Sequence, residues 1–247
     1  NRASAYIIAE IGSNHGGSLD AALALIDAAA DAGADCAKFQ AGHADHVYDP
    51  TQFPEEHASF KRYVEPVLGW LQVLAEKCQQ RAIDFACSTF CLDALDAVDP
   101  WVKWHKVASI EATWDELIAA IARKGKPVIV STGGMTNREG GDTMILLVRS
   151  GAPAHIPMAC VLSYPADLRD VNLRYWGDNG PRSLHPWGVS DHTTHPTIVP
   201  CAAIAMGAKV VEKHMRLDET NYNDPTGSLL TLETPDSAHS INQYDFR

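Results

Sequence analysis

Two histidines late in the chain carry its clearest chemical signal. Gly188-Val-Ser190-Asp191-His192 and Val210-Val-Glu212-Lys213-His214 each read as a short apolar strand ending in metal-capable side chains. Roughly twenty residues separate them, the room one connecting helix needs. On neighbouring parallel strands the two imidazoles would share one rim of a sheet. Neutral imidazoles there suit a divalent metal. Two protein ligands leave positions open for water or a substrate carbonyl, as a Lewis acid requires. The plainer reading of either His is a hydrogen-bonded structural residue. His195, just beyond His192, is a rival ligand.

Other polar residues fall at comparable places. Small hydroxyls and backbone N–H groups at Ser109, Ser131 and Ser190 suit a phosphate, with Lys38 as the point charge. Glu10 and Glu111 end the first and fourth strand candidates and suit proton transfer or the positioning of water. Their plainer reading is a salt bridge to Lys38 or Lys106. Together these residue types support recognition of an anion beside a metal.

The elements that must position them alternate. Strand candidates begin near Tyr6, Cys36, Ile83, Trp104, Pro127, Ile156, Gly188 and Lys209. Several are almost continuously apolar, as strands covered on both faces are. Between them lie helical patterns, such as Leu19, Leu23, Ile26 and Ala30 after a Ser18 cap, ended by Gly33. Thr113-Trp-Asp-Glu116 has capping-box spacing and predicts the start of a helix running to Arg123. Residues 43–66, rich in His, Asp, Glu, Pro and aromatics, read as a long loop, functional or loosely ordered. Eight βα units in 247 residues predict an α/β fold of the (β/α)8 TIM-barrel type, a single domain over 1–247 with an irregular tail from about 220. Polar groups gather at the C-terminal strand ends (Glu10, Lys38, Gln40, Ser88, Thr89, Ser109, Glu111, Ser131, Tyr164, Ser190, His192, Glu212 and His214), where such a barrel builds its active site.

The totals narrow the function classes. A net charge of −11 argues against a nucleic-acid surface and against a polybasic membrane contact. It leaves room for a small anionic substrate bound by a few local cations. The six cysteines lack zinc-ribbon spacing and read as reduced thiols of a cytoplasmic protein. No apolar run has membrane-spanning length, no signal peptide is visible, and the chain starts without Met.

The motifs resemble one family. Ile-Ala-Glu10-Ile-Gly-Ser-Asn14-His15-Gly-Gly, Gly33-Ala-Asp-Cys-Ala-Lys38-Phe-Gln40, Lys106-Val-Ala-Ser109-Ile-Glu111, Gly125-Lys-Pro-Val-Ile-Val-Ser131-Thr-Gly, Tyr164-Pro165, Ser190-Asp-His192-Thr and Gly207-Ala-Lys-Val-Val-Glu-Lys-His214 look like the sialic acid synthase (N-acetylneuraminate synthase) family. They occur in family order over about residues 6 to 218. The resemblance implies a (β/α)8 barrel that condenses phosphoenolpyruvate with an aldose, usually an N-acetylated hexosamine. The implied products are a 2-keto-3-deoxy (nonulosonic, sialic-type) acid and phosphate. It implies a divalent metal, commonly Mn²⁺ with Mg²⁺ or Co²⁺ as alternatives, on His192 and His214. Lys38, Thr89, Ser109, Ser131 and Ser190 match positions that bind phosphoenolpyruvate. Glu10 and Glu111 match acidic groups around the reacting carbons and water, so Glu10, Glu111 and Lys38 form the expected catalytic set. Gln40 and Tyr164 match positions on the sugar side, and Asp224 approximately matches an acidic residue that touches the sugar.

The chain departs from the family in places. Strand six reads Ala159-Cys160-Val161 where His-Cys-Thr is usual, and Asn221-Tyr-Asn-Asp224 replaces a Pro-Gly-Pro-Asp-His stretch. The resemblance covers the barrel alone, so the family's C-terminal antifreeze-like domain is expected to be lacking. The phosphoenolpyruvate half looks kept and the acceptor half altered. A homodimer is one expected assembly. Competing functions are a synthase with a phosphorylated aldose acceptor, using Arg174, Arg182 or Arg216; a Schiff-base aldolase on Lys38 or Lys213; and a non-catalytic barrel that binds a ligand or partner.

Overall fold

The structure is a computed structural model and describes residues 5–177, 186–217, 234–243 and 245–246. Strands β1 (Tyr6–Glu10), β2 (Cys36–Ala41), β3 (Asp84–Thr89), β4 (His105–Val107), β5 (Val128–Ser131), β6 (His155–Cys160), β7 (Gly188–Asp191) and β8 (Val210–Arg216) follow one another both in sequence and in the sheet. β1 also pairs with β8, so the strand order returns on itself. The registers are parallel, for example Lys38 opposite Ala86 and Asp191 opposite Lys213. Helices α1 (Leu19–Asp31), α2 (Ala44–Val47), α3 (Pro54–Tyr63), α4 (Leu71–Gln80), α5 (Leu92–Val98), α6 (Asp115–Arg123), α7 (Asn137–Arg149) and α8 (Ile198–Ala205) fill the connections. This is the (β/α)8 barrel expected from the alternation.

The chain divides into two compact units. One comprises residues 1–8 and 103–213, the other residues 9–102 and 214–247. In the second unit, Ala9, Leu25, Ile26, Phe39, Leu74, Phe85 and Met215 belong to one buried apolar cluster. In the first, Trp176, Trp187, Val189, Val199, Ala203 and Val211 form another. Ser18 caps α1 by accepting the Ala21 N–H, and Gly33 beyond its end takes a φ of +88°.

Three local expectations change. α6 starts at Asp115 with Trp114 as its N-cap and no side-chain cap bond, so Thr113-x-x-Glu116 is not a capping box. The Trp114 N–H donates to the Glu111 carbonyl, which places Thr113 inside a preceding turn. The box opens α7 instead. There the Glu139 N–H donates to Thr136 Oγ1, and the Glu139 carboxylate accepts the Thr136 N–H. Residues 43–66 are not one loop but contain α2 and α3. Pro54 sits in the first turn of α3 with Glu55 and Glu56, and Lys61 and Arg62 close its last turn, in keeping with the helix dipole. In the tail, residues 218–233 lie outside the described residues. Beyond them Ile241–Asn242 adds β9, paired in parallel with Met215 and Arg216 of β8.

All six cysteines are free, and Cys36, Cys78, Cys87 and Cys91 are buried. No helix among the described residues is long and apolar enough to cross a membrane.

Candidate active site

In the second unit, β1, β2 and β3 bring their last polar residues together. Lys38 Nζ lies 2.6 Å from Glu10 Oε2, with both side chains buried. The ammonium also donates to Ser88 Oγ at 3.1 Å, and Gln40 Nε2 donates to Glu10 Oε1 at 2.9 Å. The parallel register explains the meeting, because Gln40 stands opposite Ser88 and Ala41 opposite Thr89. Thr89 Oγ1 is buried with no hydrogen-bond partner among the described residues. Glu10 therefore takes the ion pair that was its plainer reading. That same pair fixes a carboxylate and an ammonium at adjoining strand ends. Gln40 also faces a cavity of about 370 Å³ with Ser13, Tyr48, Glu55, Tyr63 and Asp236.

In the first unit a second lysine repeats the pattern. Buried Lys106 donates to Ser131 Oγ at 2.8 Å and lies 3.6 Å from Glu212 Oε1. Ser190 Oγ donates to the same Glu212 oxygen at 3.0 Å. The Gly133 N–H donates to Ser109 Oγ, and a Cβ on Gly133 would come within 2.9 Å of that oxygen. Ser109 in turn donates to Cys160 Sγ at 3.4 Å. The structure thus joins two hydrogen-bonded pairs, Lys106 with Ser131 and Ser190 with Glu212, through the Lys106–Glu212 ion pair, with Ser109 bonded to Gly133 and Cys160. Glu111 follows β4 on a turn, 7% exposed, and its Oε2 has no hydrogen-bond partner among the described residues. Burial pushes its pKa up to about 8, and the Lys106 charge offsets this only in part.

His192 Nδ1 lies 2.8 Å from the Val161 carbonyl. A carbonyl only accepts, so Nδ1 carries the proton and Nε2 presents its lone pair, the tautomer a metal ligand needs. Tyr164 stacks on this ring with centroids 4.1 Å apart. His195, by contrast, is exposed. His214 follows Lys213, the last β8 residue in register with β7. It lies beside Asp236 and His239, and one ligand atom from each of the three falls within 4.8 Å of the others. This donor set fits a divalent cation.

Lys213 is engaged elsewhere. It donates to Asp191 Oδ2 at 2.8 Å and to the Thr193 carbonyl, and burial lowers its pKa. Arg174 is exposed, and Arg182 and Asp224 lie outside the described residues. Sequence reasoning missed Lys106 as a site residue, and Asp236 and His239 altogether. A lone charge within an apolar strand marks Lys106 as it marks Lys38. A Pro235-Asp236 pair after β8 was the available signal for the acidic residue.

Known proteins similar to this chain share its fold and point to one family. Spore coat polysaccharide biosynthesis protein SpsE of Bacillus subtilis is 35% identical over 228 residues, covering 87% of this chain and 60% of SpsE. The chain thus spans less than two thirds of that relative. Pseudaminic acid synthase of Campylobacter jejuni is 30% identical over 260 residues, covering 98% of this chain and 71% of the synthase. The crystal structure of N-acetylneuraminic acid synthetase from Leptospira borgpetersenii, in complex with citrate, superposes with a TM-score of 0.86 at 30% identity, covering 100% of this chain and 81% of that one. Residues 25–247 match the model of the NeuB family, and the chain belongs to that family.

Proposed function

We propose that the chain condenses phosphoenolpyruvate with an aldose to give a 2-keto-3-deoxy acid and phosphate. The observation that carries this reading is the pair of buried lysine–serine contacts, Lys38 with Ser88 and Lys106 with Ser131. Buried ammonium groups beside hydroxyls suit a small, multiply charged anion. Thr89 adds a hydroxyl in the second unit, and Ser109 and Ser190 add theirs in the first.

The chemistry needs one C–C bond and one hydration. The enol carbon of phosphoenolpyruvate attacks the aldehyde carbon, and the aldehyde oxygen takes a proton. Water adds at the former enol-phosphate carbon and gives one proton to the surrounding bases. The C–O bond to phosphate then breaks, phosphate leaving with the electron pair and the hydroxyl proton as the keto group forms. Glu111, whose pKa stands at about 8, holds a proton at neutral pH and is the donor to the aldehyde oxygen. Glu10, fixed by Lys38 and Gln40, orients the attacking water. A divalent metal on His192 and His214, Mn²⁺ in the first instance, supplies Lewis-acid polarisation of the aldehyde when bound. Preorganised charge and orientation account for the acceleration.

The acceptor side has its own signature. The cavity beside Gln40 is lined by Glu55, Glu56 and Asp236 together with Tyr48 and Tyr63, and no Lys or Arg lines it among the described residues. A phosphorylated aldose would bring its dianion against Glu55 and Glu56 with no Lys or Arg of the described lining to meet it, which favours an unphosphorylated, N-acetylhexosamine-like acceptor. The test is phosphate release from phosphoenolpyruvate with Mn²⁺ and either an N-acetylhexosamine or its phosphomonoester. Release with the free sugar supports the reading. Release only with the phosphomonoester overturns the acceptor assignment, and release with neither overturns the function.

A further inference from the structure

His214, Asp236 and His239 form a compact donor set inside one unit. His214 Nδ1 is 3.9 Å from Asp236 Oδ1, and His239 Nε2 is 3.5 Å from the same oxygen. The two imidazoles meet edge to face at 4.3 Å. Ligands bound at about 2.0–2.2 Å to one cation stand about 3 to 3.6 Å from each other, so small side-chain rotations close this set around an ion.

The carboxylate is held ready for that role. Its Oδ2 accepts the Ser13 N–H at 2.6 Å and the Ser13 hydroxyl at 2.9 Å, which turns Oδ1 toward the histidines. Such outer contacts are how ligating carboxylates are oriented. Gly12 makes room for it. Its φ is +52°, and a Cβ there would lie 2.1 Å from Asp236 Oδ2. The segment is also pinned to β8. Asn14 Nδ2 donates to the Met215 carbonyl and to Ser240 Oγ, and Thr234 Oγ1 donates to Asn14 Oδ1. Both histidines are buried, at 5% and 2% exposure, so little water competes for a cation there.

We propose that Asp236 and His239 are ligands, alongside His214, to the divalent metal of the reaction. The inference rests on the metal-assisted reading above. It adds two side chains of the same unit to His214, so the ion keeps protein ligands when His192 is removed. The probe is Mn²⁺ alone, followed by electron paramagnetic resonance. His239→Gln and Asp236→Asn each lower Mn²⁺ affinity about 10- to 100-fold, an effect at least that of losing a partner of a ligand.

A count of nitrogens tests the inference without relying on how those variants fold. In His192→Ala, pulsed resonance shows two imidazole nitrogens coupled to bound Mn²⁺. One coupled imidazole, or loss of binding in that variant while the wild type binds, overturns the inference and leaves the metal-assisted reading standing. Failure of the wild type to bind Mn²⁺ overturns both.

Discussion

Glu10 and Glu111 are two buried carboxylates beyond apolar strands, and their surroundings are opposite. Glu10 meets an ammonium on one oxygen and an amide on the other. Glu111 keeps one buried oxygen without a hydrogen-bond partner among the described residues, and its pKa rises to about 8. Burial disfavours charge in both places, but only Glu10 has a cation in contact to offset it. The contrast separates two tasks that one residue type can perform. Glu10 is a fixed anion in a rigid array. Glu111 is mostly protonated below about pH 8, the state that a proton donor needs.

The largest expected effect comes from breaking the Glu10 side. Lys38→Met leaves Glu10 buried and unpaired, which costs about 3–5 kcal/mol of stability by urea denaturation. Phosphoenolpyruvate binding, measured by calorimetry, is lost with it. A cost below about 1 kcal/mol, the size of a surface pair, would mean that the two regions do not differ as described.

Next is Glu111→Gln. Loss of a positioned acid lowers turnover by about 10²- to 10⁴-fold. Wild-type activity falls as pH rises through about 8, where Glu111 gives up its proton, and the Gln variant lacks that limb. The stability sign follows from the same shift. The folded pKa of about 8 exceeds the ordinary value of 4.5, so the native state binds the extra proton between those values. This contribution is complete below about pH 4.5 and is lost as pH rises through 8. Glu111→Gln therefore gains stability over the wild type above pH 8, read as a higher unfolding midpoint.

Much of this was legible in the chain. Eight apolar runs with polar ends indicated the barrel, because strands covered on both faces must be apolar until they reach the rim. Lys38, Ser131 and Ser190 stood out for the same reason. What spacing could not reveal was pairing across the sheet. That Lys106 reaches Ser131 follows from register and side-chain length, and neither is written in the order of residues. Asp236 and His239 were hidden differently. They follow residues 218–233, which disguise their spacing from β8. The 43–66 segment read as a loop because its carboxylates and aromatics mask a helical face on which only Phe60 is buried. The two Thr-x-x-Glu stretches show the limit of local pattern, since both have the spacing and only Thr136 stands at a helix entrance.

A glycine pair sharpens the contrast with a smaller effect. Gly12 and Gly33 both have positive φ, but among the described residues nothing lies within 4 Å of a Cβ on Gly33. Gly33→Ala costs about 1 kcal/mol from backbone strain alone and leaves Mn²⁺ binding unchanged. Gly12→Ala adds a collision with Asp236 and a 3.4 Å approach to Gln40 Nε2, the group that bonds Glu10. Its Mn²⁺ affinity falls, while the alkaline limb set by Glu111 stays near pH 8.

Thr89 shares with Glu111 a buried polar atom that has no partner among the described residues, and it yields the smallest effect. A hydroxyl buried in that state costs stability, so removing it relieves the fold rather than harming it. Thr89→Val is expected to change stability by less than about 1 kcal/mol, on the favourable side. Its affinity for phosphoenolpyruvate falls about tenfold, the worth of roughly one hydrogen bond to a charged group. The two readouts move in opposite directions only if the hydroxyl is kept for a ligand. Loss of stability with unchanged binding would make Thr89 a packing residue and leave Glu111 as the one unpaired group that the reaction uses.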